Sequence, residues 1–282
     1  MAAIDVRADA AGLLVARGGD GVVTAVATAT ASVAGPADGP PTADTVAATR
    51  EAVAAMAGEA RRLGASRLVV ACTPPGGGEA ATEPLLAGIA EAAGVRPLLL
   101  SPPERARITF LGLKGVHAPE PLLAAELGAD GLDLMGGRDG GLWWTTSLPL
   151  GVRTLTDRYE PADPPQLDLV GPMSAHARAL LEPVADGPPV AGARMTGAPA
   201  HALARVAGTA RLDQAALVRA VETLVAAPSA DVAAETGADP AWVPLLLAAA
   251  AVTEALRRAF ALEAVEVSPA GLREGLVAEA LA

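Results

Sequence analysis

A pattern of two apolar strands joined by a small-residue turn occurs twice in this chain, at positions about 120 residues apart. The first copy spans residues 4–15 and the second spans residues 125–135. In each copy the first apolar run ends near a carboxylate, Asp5 or Glu126, and a Gly/Asp turn and a third strand-like run follow. A repeat of this length indicates a duplicated domain, because solenoid units repeat every ~20–50 residues. The sequence therefore predicts two domains that each open with three strands.

The rest of the pattern is typical of α/β domains. The 282 residues suffice for two domains of the usual size, about 100–200 residues each. After its three strands, the first unit alternates helical and strand patterns in the predicted order βββαβαβα. Its last helix has a well-marked start, with Ser101 as N-cap, Pro102 at the first helical position and Glu104 as the capping-box partner. We place the domain boundary so that the two domains comprise residues 1–117 and 118–282.

Charge and hydropathy exclude several classes of protein. The net charge of −11 argues against a nucleic-acid-binding protein, because phosphate backbones are bound mainly by Lys and Arg. The most apolar stretch, Val243–Val252, has about half the length that a membrane-spanning helix needs, so it predicts a buried helix. Met1 leads directly into a strand, which predicts no signal peptide. Together with the single cysteine, Cys72, this favours a soluble cytoplasmic protein without disulfides.

Cys72 and a pair of tryptophans are further candidates. Cys72 ends a predicted strand, but no neighbouring base is evident to activate it, so we interpret it as a small packed residue. Trp143 and Trp144 are adjacent in a predicted strand. Because successive strand residues face opposite sides of a sheet, we expect one of them in the core and the other exposed, as part of a possible partner surface.

The duplicated turns and several scaffold segments resemble the exopolyphosphatase / guanosine pentaphosphate phosphohydrolase (Ppx/GppA) family of the actin-like, ribonuclease-H-like superfamily. The resemblance extends over essentially the whole chain and is clearest at residues 3–6, 63–71, 104–112, 147–151 and 271–275. It implies two actin-like α/β domains around a shared interdomain cleft that handles phosphate.

In its first phosphate turn the family has the sequence Asp-Ile-Gly-Thr-Asn-Ser, and this chain departs from it. Asp5 is retained, but Arg7 stands in place of the glycine that lets backbone amides approach a phosphate. Ala8, Asp9 and Ala10 replace the hydroxyl and amide side chains. The resemblance therefore implies a weakened phosphate site at this turn.

The second turn, Asp-Ile-Gly-Gly-Gly-Ser in the family, is altered as well. This chain keeps a carboxylate at Glu126 and glycines at Gly128 and Gly131. Asp130 places negative charge where the family binds phosphate, and a carboxylate close to phosphate is repulsive unless a cation lies between them. A third family loop, Ala-Gly-Thr-x-Thr, retains its glycine as Gly197 but loses hydroxyl groups.

The family's general base is the glutamate immediately before Ala-Arg in a Ser-Gly-x-Glu-Glu-Ala-Arg motif. The corresponding residue here is Arg105, which stays protonated and cannot accept a proton. Glu104 lies one residue earlier, about 100° around the helix, and is better interpreted as a capping residue than as a displaced base.

These replacements favour a pseudoenzyme that has lost or strongly reduced phosphoanhydride hydrolysis and acts by binding a partner or a small ligand. Polyphosphate or guanosine pentaphosphate would bind weakly at most, and no cofactor is expected. One alternative is an active enzyme in which Asp5 and Glu126 hold Mg²⁺ and Glu126 positions water. Another is a structural subunit that dimerises, as a homodimer or with an active paralogue. Under the pseudoenzyme hypothesis, Arg7 or Arg105 should lie within salt-bridge distance of Asp5 or Glu126.

Overall fold

The computed structural model describes residues 1–7, 10–19, 22–33, 40–73, 79–115, 118–139 and 141–281. The chain divides into two compact units. The first unit comprises Met1–Val116 together with Ala270–Ala282, and the second comprises His117–Pro269.

The first unit is built on a five-stranded mixed sheet whose strand order is β3-β2-β1-β4-β5. β1, β2 and β3 form an antiparallel meander, and β4 and β5 continue the sheet parallel to β1. The predicted element order is confirmed. The elements are β1 (Ala2–Val6), β2 (Ala10–Gly19), β3 (Val22–Ser32), α1 (Ala43–Arg62), β4 (Leu68–Cys72), α2 (Glu79–Ala93), β5 (Leu98–Leu99) and α3 (Pro102–Lys114).

The second unit contains a six-stranded sheet with the order β10-β11-β9-β6-β7-β8. β6, β9 and β11 are parallel, and β6, β7 and β8 repeat the antiparallel opening of the first unit. The elements are β6 (Leu122–Leu127), β7 (Leu132–Arg138), β8 (Gly141–Leu148), α4 (Val152–Tyr159), α5 (Val170–Ala185), β9 (Gly192–Thr196), α6 (Ala198–Ala207), β10 (Arg211–Asp213), α7 (Gln214–Ala226), α8 (Ser229–Thr236), α9 (Leu246–Ala259) and β11 (Ala264–Val267).

The apolar stretch at residues 243–252 forms a buried helix, as predicted. After a short 3-10 turn at Val243–Leu245, helix α9 begins at Leu246, and its residues up to Val252 are all buried in the core of the second unit. Within the described ranges, no helix is both long enough and apolar enough to cross a lipid bilayer.

The two tryptophans of β8 face opposite sides of the sheet, which confirms the prediction. Trp144 packs against the core of the second unit and lies over Gly136, where a Cβ atom would come within 2.2 Å of the indole nitrogen. Trp143 is 48% exposed, and the Arg138 guanidinium carbon lies 5.6 Å from its ring centroid.

The C-terminal helix α10 (Leu272–Leu281) belongs to the first unit, whereas the predicted boundary had grouped it with the second. Leu272, Leu276 and Val277 are buried in one cluster with Ala3 and Leu14 of the first sheet. The physical reason is therefore burial of apolar surface, since this helix and α3 lie on the face of the sheet opposite to α1 and α2.

Two glycines let α10 and α3 approach each other closely. A Cβ atom on Gly275 would lie 1.9 Å from the Ile108 carbonyl oxygen, and one on Gly112 would lie 2.0 Å from the Gly271 carbonyl oxygen. Real Cβ atoms do not come this close to backbone oxygens, so both positions require glycine.

Candidate active site

The candidate residues of the first unit lie where its parallel strands end. Asp5 is the fourth residue of β1, and Cys72 is the last residue of β4 and lies beside Val6 in the sheet. Ser101 follows β5 and precedes α3. In open α/β sheets, ligands bind outside the carboxyl ends of the parallel strands, so the topology places these residues at the expected edge.

Arg7 lies next to Asp5, as the pseudoenzyme hypothesis predicted. Its Nη1 atom is 3.9 Å from Asp5 Oδ2, with the carboxylate side chain 9% exposed and the arginine side chain 42% exposed. The Arg7 amide donates a hydrogen bond of 2.8 Å to the Ala10 carbonyl, which closes the turn. Ala8 and Asp9, between them, lie outside the described residues. A fixed positive charge therefore lies beside the carboxylate of the first turn.

Cys72 has the properties of a packed residue, as predicted. Its side chain is fully buried in the core formed by β1, β2, α1 and α2. Burial, and then the negative charge of Asp5, raise the pKa of the Cys72 thiol to about 12. The thiolate is the nucleophilic form of cysteine, so this residue is unreactive at neutral pH.

Glu104 acts as a capping residue at the start of α3. The Ser101 amide donates a hydrogen bond of 2.9 Å to Glu104 Oε2, and the Ser101 hydroxyl donates to the same oxygen. These two hydrogen bonds hold the pKa of Glu104 below its usual value of 4.5. A carboxylate with a lowered pKa is a weaker base, which argues further against Glu104 as a displaced general base.

Arg105 is the residue that the family resemblance places at the position of the general base. It lies in the first turn of α3, is half-buried, and its amide donates to the Ser101 carbonyl at 2.9 Å. The Ser101 hydroxyl and the Glu104 carboxylate are thus engaged in capping this helix, and the Arg105 side chain beside them is a permanent cation.

The backbone of the second turn, Gly128–Gly131, makes hydrogen bonds within its own unit. The Gly128 amide donates to the Gly131 carbonyl at 2.9 Å, which closes a tight turn between β6 and β7. The Gly128 and Ala129 carbonyls accept from the amides of Val152 and Arg153 at 3.1 and 2.8 Å. The turn therefore caps the N-terminus of α4, a helix end that otherwise attracts anions.

Gly151 makes this capping possible, and the sequence analysis did not identify its role. A Cβ atom there would lie 2.1 Å from the Ala129 carbonyl oxygen. The signal in the sequence was the run Leu148-Pro149-Leu150-Gly151 before a helical pattern, with a glycine at the N-cap position.

Glu126 lies on β6, and Gly197 directly follows the neighbouring strand β9 and precedes α6. Glu126 is half-buried and is paired in register with Asp133 of β7 and Thr196 of β9. Gly197 has a φ of +113°, and a Cβ atom on it would lie 2.1 Å from the Leu127 carbonyl oxygen. The close approach of Gly197 to the end of β6 is enough to require a glycine here, whether or not this loop contacts phosphate.

His201 makes a long-range hydrogen bond in the second unit, and this contact was not predicted from the sequence. Its Nε2 atom lies 2.8 Å from the Ser268 carbonyl oxygen, which joins α6 to the segment after β11. The residues concerned are 67 positions apart in the chain. No local pattern predicts a contact at this separation.

The two carboxylates proposed as Mg²⁺ ligands, Asp5 and Glu126, belong to different units. In the part of the chain that the structure describes, no three His, Cys, Asp or Glu side chains form a ligand cluster. Mg²⁺ commonly binds through one or two carboxylates and several waters, so a large cluster is not required for it.

Known structures with the same fold cover nearly the whole of this chain. Residues of both units match the Aquifex aeolicus Ppx/GppA enzyme with a TM-score of 0.81 and 17% identity, over 99% of this chain and 98% of that one. An exopolyphosphatase from Cytophaga hutchinsonii matches with a TM-score of 0.78 and 16% identity, over 99% and 97% of the two chains. The fold is thus that of the two-domain actin-like α/β proteins, as predicted.

The sequence comparisons are more specific. The model of the Ppx/GppA phosphatase family matches residues 79–282. Exopolyphosphatase 1 of Mycobacterium tuberculosis is 30% identical over 214 residues, which cover 70% of this chain and 62% of that protein. The Mycobacterium leprae protein of the same name is 30% identical over 217 residues with the same coverage. This chain belongs to the Ppx/GppA phosphatase family.

Proposed function

We propose that this family member has lost phosphoanhydride hydrolysis, or retains it only in strongly reduced form, and acts by binding a partner or a small ligand. The observation that carries the proposal is the position of Arg7, whose guanidinium lies 3.9 Å from the Asp5 carboxylate. A Mg²⁺ ion bound at Asp5 would lie close to this positive charge, so ion binding at Asp5 and the Arg7–Asp5 contact oppose each other.

Arg105 supports the same proposal from the chemistry of the hydrolytic step. The reaction needs a base to take a proton from the attacking water, and a positioned base typically contributes about 10²–10⁴-fold to the rate. Arginine cannot accept that proton. Glu104, the nearest carboxylate in sequence, is held by Ser101 in the helix cap.

Substitution of Arg105 tests whether the missing base is the only defect. We expect Arg105→Glu to leave phosphate release from polyphosphate at background level, because positioning by the two turns is impaired as well. Arg105→Gln is the matched control, since it removes the positive charge without supplying a base. Turnover that appears in Arg105→Glu and not in Arg105→Gln would mean that the turns still position phosphate, and the proposal would fail.

An active Mg²⁺-dependent exopolyphosphatase is the second candidate, and the 30% identity to proteins named exopolyphosphatase 1 favours it. In that case Asp5 and Glu126 would hold the ion, which would polarise a phosphoryl oxygen and lower the pKa of bound water. The candidates differ in their response to Mg²⁺. We expect no change in melting temperature on addition of Mg²⁺, whereas a rise that Asp5→Asn abolishes would support the enzyme.

A further inference from the structure

A cavity of about 330 Å³ lies in the second unit, lined by residues of α5, α7 and α9. Three of the side chains that line it are buried, namely Leu217, Val221 and Ala250. Leu167, just before α5, and Val218 on α7 also line it, and they are 61% and 49% exposed. Small-molecule sites have volumes of about 300–1,000 Å³ and are mostly apolar with a few polar groups. The size and the apolar lining of this cavity therefore fit a small ligand.

The two ends of the cavity differ in charge, because α7 and α9 run in opposite directions. Asp213, which immediately precedes α7, pairs in the sheet with Ala264, which follows α9. The N-terminus of α7 therefore lies near the C-terminal end of α9. Gln214 and Arg258 line the cavity at this end. Glu222 lines it two helical turns further along α7, a distance of about 12 Å. One end thus carries a cation and the other an anion.

Arg258 has hydrogen-bonding capacity left for a ligand. Glu254, the other charged residue of α9 that lines the cavity, accepts hydrogen bonds on both of its carboxylate oxygens. Arg257 donates to both oxygens, at 2.8 and 3.1 Å, and Arg258 donates to one of them through Nε. Among the described residues, no group bonds to the two terminal nitrogens of Arg258, whose side chain is 58% exposed. These nitrogens are therefore able to bind an anion at this end of the cavity.

We propose that this cavity binds a small monocarboxylate with an apolar body, with its carboxylate on Arg258 and its body along Leu217 and Val218. One guanidinium group matches the charge and the two oxygens of one carboxylate. Gln214 can donate a further hydrogen bond from its side-chain amide. Glu222 repels the carboxylate from the opposite end, which favours this orientation over the reverse. The lining residues all belong to the second unit and include neither phosphate turn, so this binding does not depend on whether hydrolysis is lost.

Calorimetry of the full chain with three ligands of equal chain length tests whether the carboxylate is recognised. Octanoate should bind, and octanol should bind about tenfold more weakly or less, because it offers no charge to Arg258. Octanol that binds as tightly as octanoate would overturn the proposal, and so would the absence of octanoate binding at millimolar concentrations. Octylamine that binds more tightly than octanoate would place the head group at Glu222 and would overturn it as well.

Substitutions locate the binding in this cavity. Arg258→Gln should weaken octanoate binding about tenfold and leave octanol binding unchanged. Val218→Glu should weaken the binding of both ligands, because it places a charge in the apolar wall. Arg219→Gln is the matched control, since Arg219 is an exposed residue of α7 that does not line the cavity, and it should bind octanoate like the wild type. An octanoate affinity that is unchanged in Arg258→Gln, or that falls equally in Arg219→Gln, would overturn the proposal. A structure with a helix of another protein in this cavity would overturn it too.

Discussion

At the scale of single residues, the sequence was informative where the relevant neighbours are close in the chain. The proximity of Arg7 to Asp5 could be predicted because residues two positions apart on an extended strand point to the same side. The capping role of Glu104 follows from a three-residue spacing. The constraint on Gly197 could not be predicted, because it arises from the Leu127 carbonyl on a strand that precedes it by 70 residues.

Cys72 gives a prediction at this scale. Its raised pKa, about 12, means that the native protein binds the thiol proton more tightly than the unfolded chain does. The contribution of the Cys72 proton to the free energy of unfolding is therefore fully present below the pKa of the thiol in the unfolded chain, 9.0. It is lost as the pH rises from there toward 12. We expect a thiol reagent at pH 8 to label Cys72 only after denaturation, as measured by mass spectrometry. The exposed variant Thr28→Cys should react without denaturant, and equally rapid reaction of the native Cys72 would contradict this account.

At the scale of elements, local signals predicted most helices and strands, and the misses have physical causes. Strand β10 has only three residues, too few for an alternating pattern to be recognised. The apolar stretch that begins at Val243 was predicted as a helix, but helix α9 begins at Leu246, after a 3-10 turn that contains Pro244. A proline disfavours α-helical geometry in the residue before it, so the α-helix starts only after Pro244.

The contact between α3 and α10 gives a prediction about stability. Gly275→Ala should lower the free energy of unfolding by about 1–3 kcal/mol, because the new methyl group would collide with the Ile108 carbonyl and force the helices apart. Gly58→Ala, within α1, is the matched control, since nothing lies within 4 Å of the added atom. It should be stabilising by about 0.4–1 kcal/mol. Urea denaturation of both variants measures the difference, and equal effects would contradict a tight helix contact.

At the scale of the whole molecule, the duplication in the sequence predicted two α/β units. It did not predict that the C-terminal helix α10 belongs to the first unit. The sequence around residues 270–282 carries no signal for which sheet the helix covers. Its apolar residues could have packed on either unit, and only the complementary surface formed by Ala3, Leu14 and α3 determines the outcome.

The packing of α10 on the first unit gives a prediction about the stability of that unit. Leu276 is 2% exposed, and Leu276→Ala should lower the stability of the first unit by about 2–5 kcal/mol through the cavity it creates. Hydrogen exchange should show reduced protection in β1 and β2. Leu281→Ala, at a side chain that is 50% exposed, should change little. Loss of protection confined to the strands of the second unit would contradict the assignment of α10.

The proposed loss of phosphoanhydride hydrolysis is tested most directly by phosphate release from polyphosphate and from guanosine pentaphosphate in the presence of Mg²⁺. Mycobacterium tuberculosis exopolyphosphatase 1, assayed beside this chain, is the reference. The family resemblance implies that Arg105 replaces the general base, and Arg7 lies 3.9 Å from Asp5. We therefore predict release at least about 10²-fold slower than that of the reference, the lower end of what a positioned base contributes. Release at a comparable rate, abolished by Asp5→Asn or Glu126→Gln, would contradict the claim and identify an active phosphohydrolase.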